Sequence, residues 1–243
     1  MKKIIVILIL MFSVLTGCSV ATDKKDLETA VSNTVQLTEL DADYAVDIEL
    51  GGIGMTLKIP VEGNMKVKLN NGDIEEGIMS TNLSFFGQTS STIVYIKDGY
   101  LYNDTGTSKI KTVYTSDSSE VAPFELTTAF LNVDLIKSID NFKVVKEGTN
   151  KKYTIVVDEE VITKLLNNNM EEYKEYFEEI TIDRFEVVLV VSSDKYIIDS
   201  NIILELTSVM EKEEIQLKMD VSIHYNNPGE TVIFEYPDFS EFD

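Results

Sequence analysis

The sequence predicts an α+β fold: one large curved antiparallel sheet, an open half-barrel, with about three helices packed on its concave face. Three observations carry the prediction. Long runs alternate apolar and polar residues, most clearly Tyr44, Val46, Ile48 and Leu50 against Ala45, Asp47 and Glu49. Only three stretches, 27–40, 123–139 and 158–180, carry apolar residues at helical spacing. Turn pairs such as Asn71-Gly72 and Asp98-Gly99 punctuate the alternating runs. Clean alternation implies an antiparallel sheet with one wet and one buried face. A sheet that curls partly around a few helices satisfies both patterns.

The N-terminus reads as an address. Lys2 and Lys3 precede an apolar run over 4–15, which ends in Leu15-Thr16-Gly17-Cys18. This is the layout of a secretory signal peptide, and the run is shorter than the about 20 residues a membrane span needs. The last four residues resemble the lipobox of bacterial lipoproteins, in which a diacylglycerol is attached to the cysteine thiol and cleavage leaves that cysteine first. The resemblance implies a signal peptide over 1–17, lipidation of Cys18, a short tether to residue 26 and a single domain over 27–243. It implies an extracytoplasmic protein held to the cell membrane by lipid.

Down the chain, Leu27, Ala30, Val31, Thr34 and Leu37 predict a first amphipathic helix over 27–40. Strands follow at 44–50 and 55–69, with a bend or bulge expected at 60–63, because fifteen residues in register would span roughly 50 Å. Further strands are expected at 74–85, 89–97, 100–103 and 109–114. Pro123 opens a second helix to 139, followed by short strands at 142–146 and 153–157. Asp158 is placed to cap a third helix, which reaches Ile180. Three long strands and a short one over 231–236 close the chain. In the second long strand Ile198, Ile202, Leu204 and Leu206 are expected on one face.

Composition narrows the partners. The chain carries 42 acidic against 21 basic residues, and losing 1–17 leaves a net charge of −23. Nucleic acid needs clustered Lys and Arg to neutralise phosphates, so it is a poor partner. By net charge, anionic lipids would also repel the domain, leaving the covalent lipid to hold it. Cys18 is the sole cysteine, so no disulfide supports the fold, and with one histidine a zinc site is improbable.

The stretch Tyr95-Ile96-Lys97-Asp98-Gly99-Tyr100-Leu101-Tyr102 and the segment 141–166 resemble hairpin and strand–helix segments of the LolA/LolB-like lipoproteins, including the LppX/LprG-like members. The likeness covers nearly the whole mature chain as a pattern of elements. It implies a cavity between sheet and helices that holds a lipid or other hydrophobic ligand, without an enzymatic step or cofactor. On the apolar faces, Met55, Leu57, Met65, Phe130, Phe177, Phe185, Met219 and Ile223 are the candidate cavity residues. Adaptable Met and Phe side chains suit varied acyl chains, and they suit an ordinary core equally well. The alternative is an envelope interaction or sensor module on the same fold with its core filled.

Other chemistry is weaker. His224 falls on the polar face of its strand beside Ser222 and Asp220, and residues two apart on one strand do not form a relay. It reads as a solvated histidine. Glu171, Glu172, Glu175, Glu178 and Glu179, and separately Glu211, Glu213 and Glu214, lack the ligand spacing of a calcium loop. No glycine loop for phosphate is present: Gly51-Gly52-Ile53-Gly54 lacks both the lysine and the following helix.

Overall fold

The computed structural model describes residues 22–52, 54–115, 124, 139, 141–157, 179–210 and 213–243. Eleven strands form one antiparallel sheet: β1 Glu39–Gly52, β2 Met55–Asn70, β3 Asp73–Phe85, β4 Gln88–Lys97, β5 Tyr100–Asp104, β6 Lys109–Val113, β7 Phe142–Glu147, β8 Asn150–Val156, β9 Glu179–Val191, β10 Ile197–Met210 and β11 Glu213–Tyr225. Their order is β6-β5-β4-β3-β2-β1-β11-β10-β9-β8-β7. Two meanders, β1–β6 and β7–β11, therefore join where β1 pairs with β11. The outermost strands, β6 and β7, do not pair with each other, so the sheet stays open.

Local chemistry accounts for the strands. Leu40, Ala42, Tyr44 and Val46 of β1 are buried while Asp43, Ala45 and Asp47 are exposed, which is the pattern of a half-buried strand. Asn71 and Gly72 both take positive φ, 55° and 93°, and close the β2–β3 hairpin with a turn whose twist matches the strands. The expected bulge over 60–63 is not there. β1 and β2 stay in unbroken register from Glu39↔Lys68 to Gly52↔Met55, and the β2–β3 shift lies at Lys68/Leu69. Pro60 is tolerated inside β2 beside the point where the β2–β3 ladder stops, at Val61↔Leu83.

One α-helix, α1 over 22–35, is present among the described residues. Of the other two expected, 123–139 and 158–180 fall almost wholly outside them. Leu27, Ala30, Val31 and Thr34 form the buried stripe of α1. Helix α1 starts at residue 22, before the expected 27, and it ends before 40. Leu37 N–H bonds back to Thr34 O at 3.2 Å, and Leu69 N–H then reaches Thr38 O at 2.7 Å, turning the chain into the sheet. Thr34 Oγ1 accepts from Ile197 N–H at 3.0 Å, and Asn33 Nδ2 donates to Lys195 O at 2.8 Å. Lys151 Nζ holds the first turns through Asp23 at 2.6 Å and Asp26 at 2.7 Å. No helix among the described residues is long and apolar enough to cross a membrane.

Three expectations near the end of the chain are corrected. Ile180 belongs to β9, not to a helix, and pairs with Ser208. A register shift between Ile197 and Asp199 leaves Ile197 fully buried and Ile198 only partly so. The segment 231–236 alternates but forms no strand. Both sides of β11 are taken by β1 and β10, so no free edge adjoins it. The chain instead crosses the polar face of the first meander as a strap. Val232 N–H donates to Glu39 at 2.7 Å, and Phe239 stacks on Tyr102 at 4.0 Å. Asp243 O accepts from Lys111 N–H at 2.8 Å on the outer side of β6.

Candidate functional site

Register places the apolar side chains in rows across the inner face. One row runs Tyr225–Ala42–Met65–Met79–Val94, from β11 to β4, and is buried throughout. Another, eight residues away along β1 and thus roughly 27 Å, runs Ile182–Leu206–Leu217–Leu50–Leu57 and is only half-buried or exposed. Helix α1 lies over the first row, where Thr34 meets Ile197. Fourteen helical residues span roughly 21 Å, too little to cover strands of this length.

Between α1 and the sheet lies an apolar cleft of about 200 Å³, lined by Thr34, Val35, Leu37, Leu40, Leu69, Gly72, Phe124 and Tyr225. It forms because α1 stops at residue 35, which carries Leu37 and Leu40 across to face Leu69 of β2. Sequence reasoning assigned Leu37 to the helix stripe and drew the helix on to Leu40, and so missed the cleft. The Tyr225 and Ser200 hydroxyls are buried beside each other, and the Tyr153 hydroxyl is buried without a hydrogen-bond partner among the described residues. Burial pushes the Tyr225 phenol well above its ordinary value, with Ser200 opposing, and burial pushes Tyr153 up to about 12.

The predicted cavity residues that fall among the described ones share the inner face and not the cleft. Met65, Phe185 and Ile223 are buried in the core. Leu57 and Met219 are half-buried further along, and Met55, 70% exposed, sits at the tip of the β1–β2 hairpin. Phe130 and Phe177 lie outside the described residues, as does Cys18.

The opposite face carries the larger concavity, a trough of about 640 Å³ across the middle of the sheet. One row of it reads Lys152–Val190–Asp199–His224–Asp43–Asn64, from β8 to β2. His224 Nδ1 lies 2.6 Å from Asp199 Oδ1, so its partner comes from the neighbouring strand. A cross-strand partner leaves no trace in local spacing. Asn201 Nδ2 donates to Asp220 at 2.6 Å and to Ser222 Oγ at 3.0 Å, which ties that serine to an amide. Among the described residues no three His, Cys, Asp or Glu side chains converge as a metal site. Glu171, Glu172, Glu175, Glu178 and Glu211 lie outside them.

No protein-family model and no curated protein matches the chain. Solved structures similar to it include LprF from Mycobacterium bovis, at 11% identity over 88% of this chain and 96% of that one, with a TM-score of 0.48. They also include a DUF1329 family protein from Desulfovibrio piger, at 12% identity over 86% and 94%, TM-score 0.28. A third is the LolA superfamily protein NE2245 from Nitrosomonas europaea, at 10% identity over 90% and 96%, TM-score 0.27.

Proposed function

We propose that this chain is a lipid-anchored extracytoplasmic binding protein that takes an acyl chain or similar apolar ligand against the inner face of its sheet, with no enzymatic step. The observation that carries the reading is the apolar cleft beside α1, where Val35, Leu37, Leu40, Leu69 and Phe124 surround a space next to the buried core. A cleft of about 200 Å³ is smaller than the roughly 300–1,000 Å³ of a complete small-molecule site. The cleft therefore takes one end of a ligand, since the buried Tyr225–Ala42–Met65–Met79–Val94 row separates it from the half-buried inner rows. Apolar burial at ~25 cal/mol per Å² supplies the binding energy. Residue 22, already helical, lies four residues after Cys18, which supports a domain held close to the bilayer.

Native mass spectrometry of residues 19–243, followed by solvent extraction, tests this. The expected result is a discrete added mass that extracts as lipid. Val35→Glu, at a wall position that is 50% exposed, should fold normally and lose that mass. A clean apo mass with no uptake from added lipid would refute the reading.

The trough favours a second reading, an envelope interaction module. Its carboxylates at Asp43, Glu62 and Asp199 suit a basic partner. Salt-sensitive binding that is lost in Asp43→Asn/Glu62→Gln, together with a ligand-free inner face, would support it.

A further inference from the structure

The chain as a whole is strongly acidic, yet its positive charge is not evenly spread. Residues 142–157, the β7–β8 hairpin, hold four lysines and one glutamate, a formal +3 within a chain of −21. Register sets Lys146 directly opposite Lys151 on one face, while Lys152 opposite Val145 and Lys143 opposite Thr154 lie on the other. Like charges facing each other across a pair of strands destabilise it unless a counter-charge is present. Asp23 and Asp26 take up Lys151. Lys143 and Lys146 are exposed and have no ion pair among the described residues. Val145, 57% exposed, stands between them.

The place of this hairpin decides what it meets. The Lys151 contacts fasten the first turns of α1 to the β7–β8 hairpin beside its closing turn. Residue 22 is four residues beyond Cys18, a reach of at most about 14 Å. The β3–β4 turn, with Phe86 at 79% exposure, lies at the opposite end of the strands. Because exposed charges separated by more than about 10 Å are largely screened at 0.1 M salt, the hairpin lysines weigh more in the field near the start of α1 than distant carboxylates do. The net charge of the chain does not set it.

We infer that the β7–β8 hairpin, through Lys143, Val145 and Lys146, is the surface that faces and binds the anionic headgroups of the membrane carrying the lipid anchor. The inference rests on the anchoring of Cys18. It reverses what net charge alone implies, since the domain meets anionic lipid with a basic hairpin. Lysine ammonium groups beside an exposed valine fit an interface of phosphates over acyl chains.

The chain has no tryptophan, so single substitutions report cleanly. The full-length protein, lipidated at Cys18 and reconstituted in vesicles, would carry either Val145→Trp or Phe86→Trp. The vesicles are phosphatidylcholine with or without phosphatidylglycerol, and each contains a brominated phospholipid as quencher. The probe at position 145 should be quenched several-fold more than that at 86. The difference should need phosphatidylglycerol and shrink with salt or in Lys143→Gln/Lys146→Gln. Flotation with equal quenching at both positions, or quenching at 145 that ignores phosphatidylglycerol and salt, overturns the inference while leaving the anchor intact. Failure of the protein to float with vesicles overturns the anchoring and the inference with it.

Discussion

The Tyr44 hydroxyl on β1 meets Thr81 Oγ1 on β3 at 2.6 Å, passing over β2 at Gly63, and donates to Ser80 O at 3.2 Å. A Cβ at residue 63 would overlap the Ser80 carbonyl and the Tyr44 ring. Gly63→Ala should therefore destabilise the fold by about 1–3 kcal/mol. Tyr44→Phe, which keeps the ring and strands the hydroxyl of Thr81, should lose about 1 kcal/mol. Urea midpoints at unchanged slope measure both, and a Gly63→Ala protein as stable as the parent would contradict this packing.

The clamp on α1 makes stability depend on acid. Hydrogen bonds from Lys151 and then Lys195 hold the Asp26 carboxyl below the usual carboxylate range. A depressed folded value contributes stability that is complete above about pH 4 and is lost as pH falls through that folded value. Lys151 is raised above its ordinary value by Asp23 and then Asp26, so its share is complete below about pH 10 and is lost only in stronger alkali. Asp26→Asn should flatten the acid limb of a stability–pH curve and leave the neutral region without a slope of its own.

The strap should report through its aromatic contacts. Phe239 stacks on Tyr102 and meets the edge of Tyr95 at 5.7 Å. Phe239→Ala should remove about 2 kcal/mol and expose both tyrosines. Thermal melting and tyrosine absorbance measure the two effects, and a melt unchanged with both rings still shielded would count against the strap.

Asp47 faces Asp220 directly across β1 and β11. Opposed like charges on neighbouring strands destabilise by a few tenths of a kcal/mol. Asp47→Asn should raise stability by about that amount, with the gain fading at high salt. A loss of stability would mean that Asp47 has a favourable partner.

The strands were legible because alternation is written residue by residue, and Asn71-Gly72 closed a hairpin where it was expected. Misreadings occurred where a residue's neighbour is distant in sequence. Leu37 and Leu40 fit a helical stripe locally, but Leu69 draws them into the sheet. The alternation of 231–236 is real, yet a strand needs an edge, and β1 and β10 already occupy both sides of β11. His224 is exposed as expected, but its partner Asp199 was not foreseen because it sits on another strand. Ile198 lost its place to Ile197 through a register shift that composition does not encode.

Period-two patterning, turn dipeptides and the N-terminal run depend on local stereochemistry and on apolar transfer, so the sequence alone determined an open antiparallel sheet and an expected address. Tertiary structure decided the rest, because register, edge occupancy and the end of α1 depend on contacts between distant segments. Those contacts made the cleft at Leu40 and Leu69, the Asp199–His224 pair in the trough, and the gathering of Lys143, Lys146 and Lys151 on one hairpin beside α1. Net charge is a sum over the chain, whereas a screened electrostatic field is local, so only the folded arrangement shows which surface is basic.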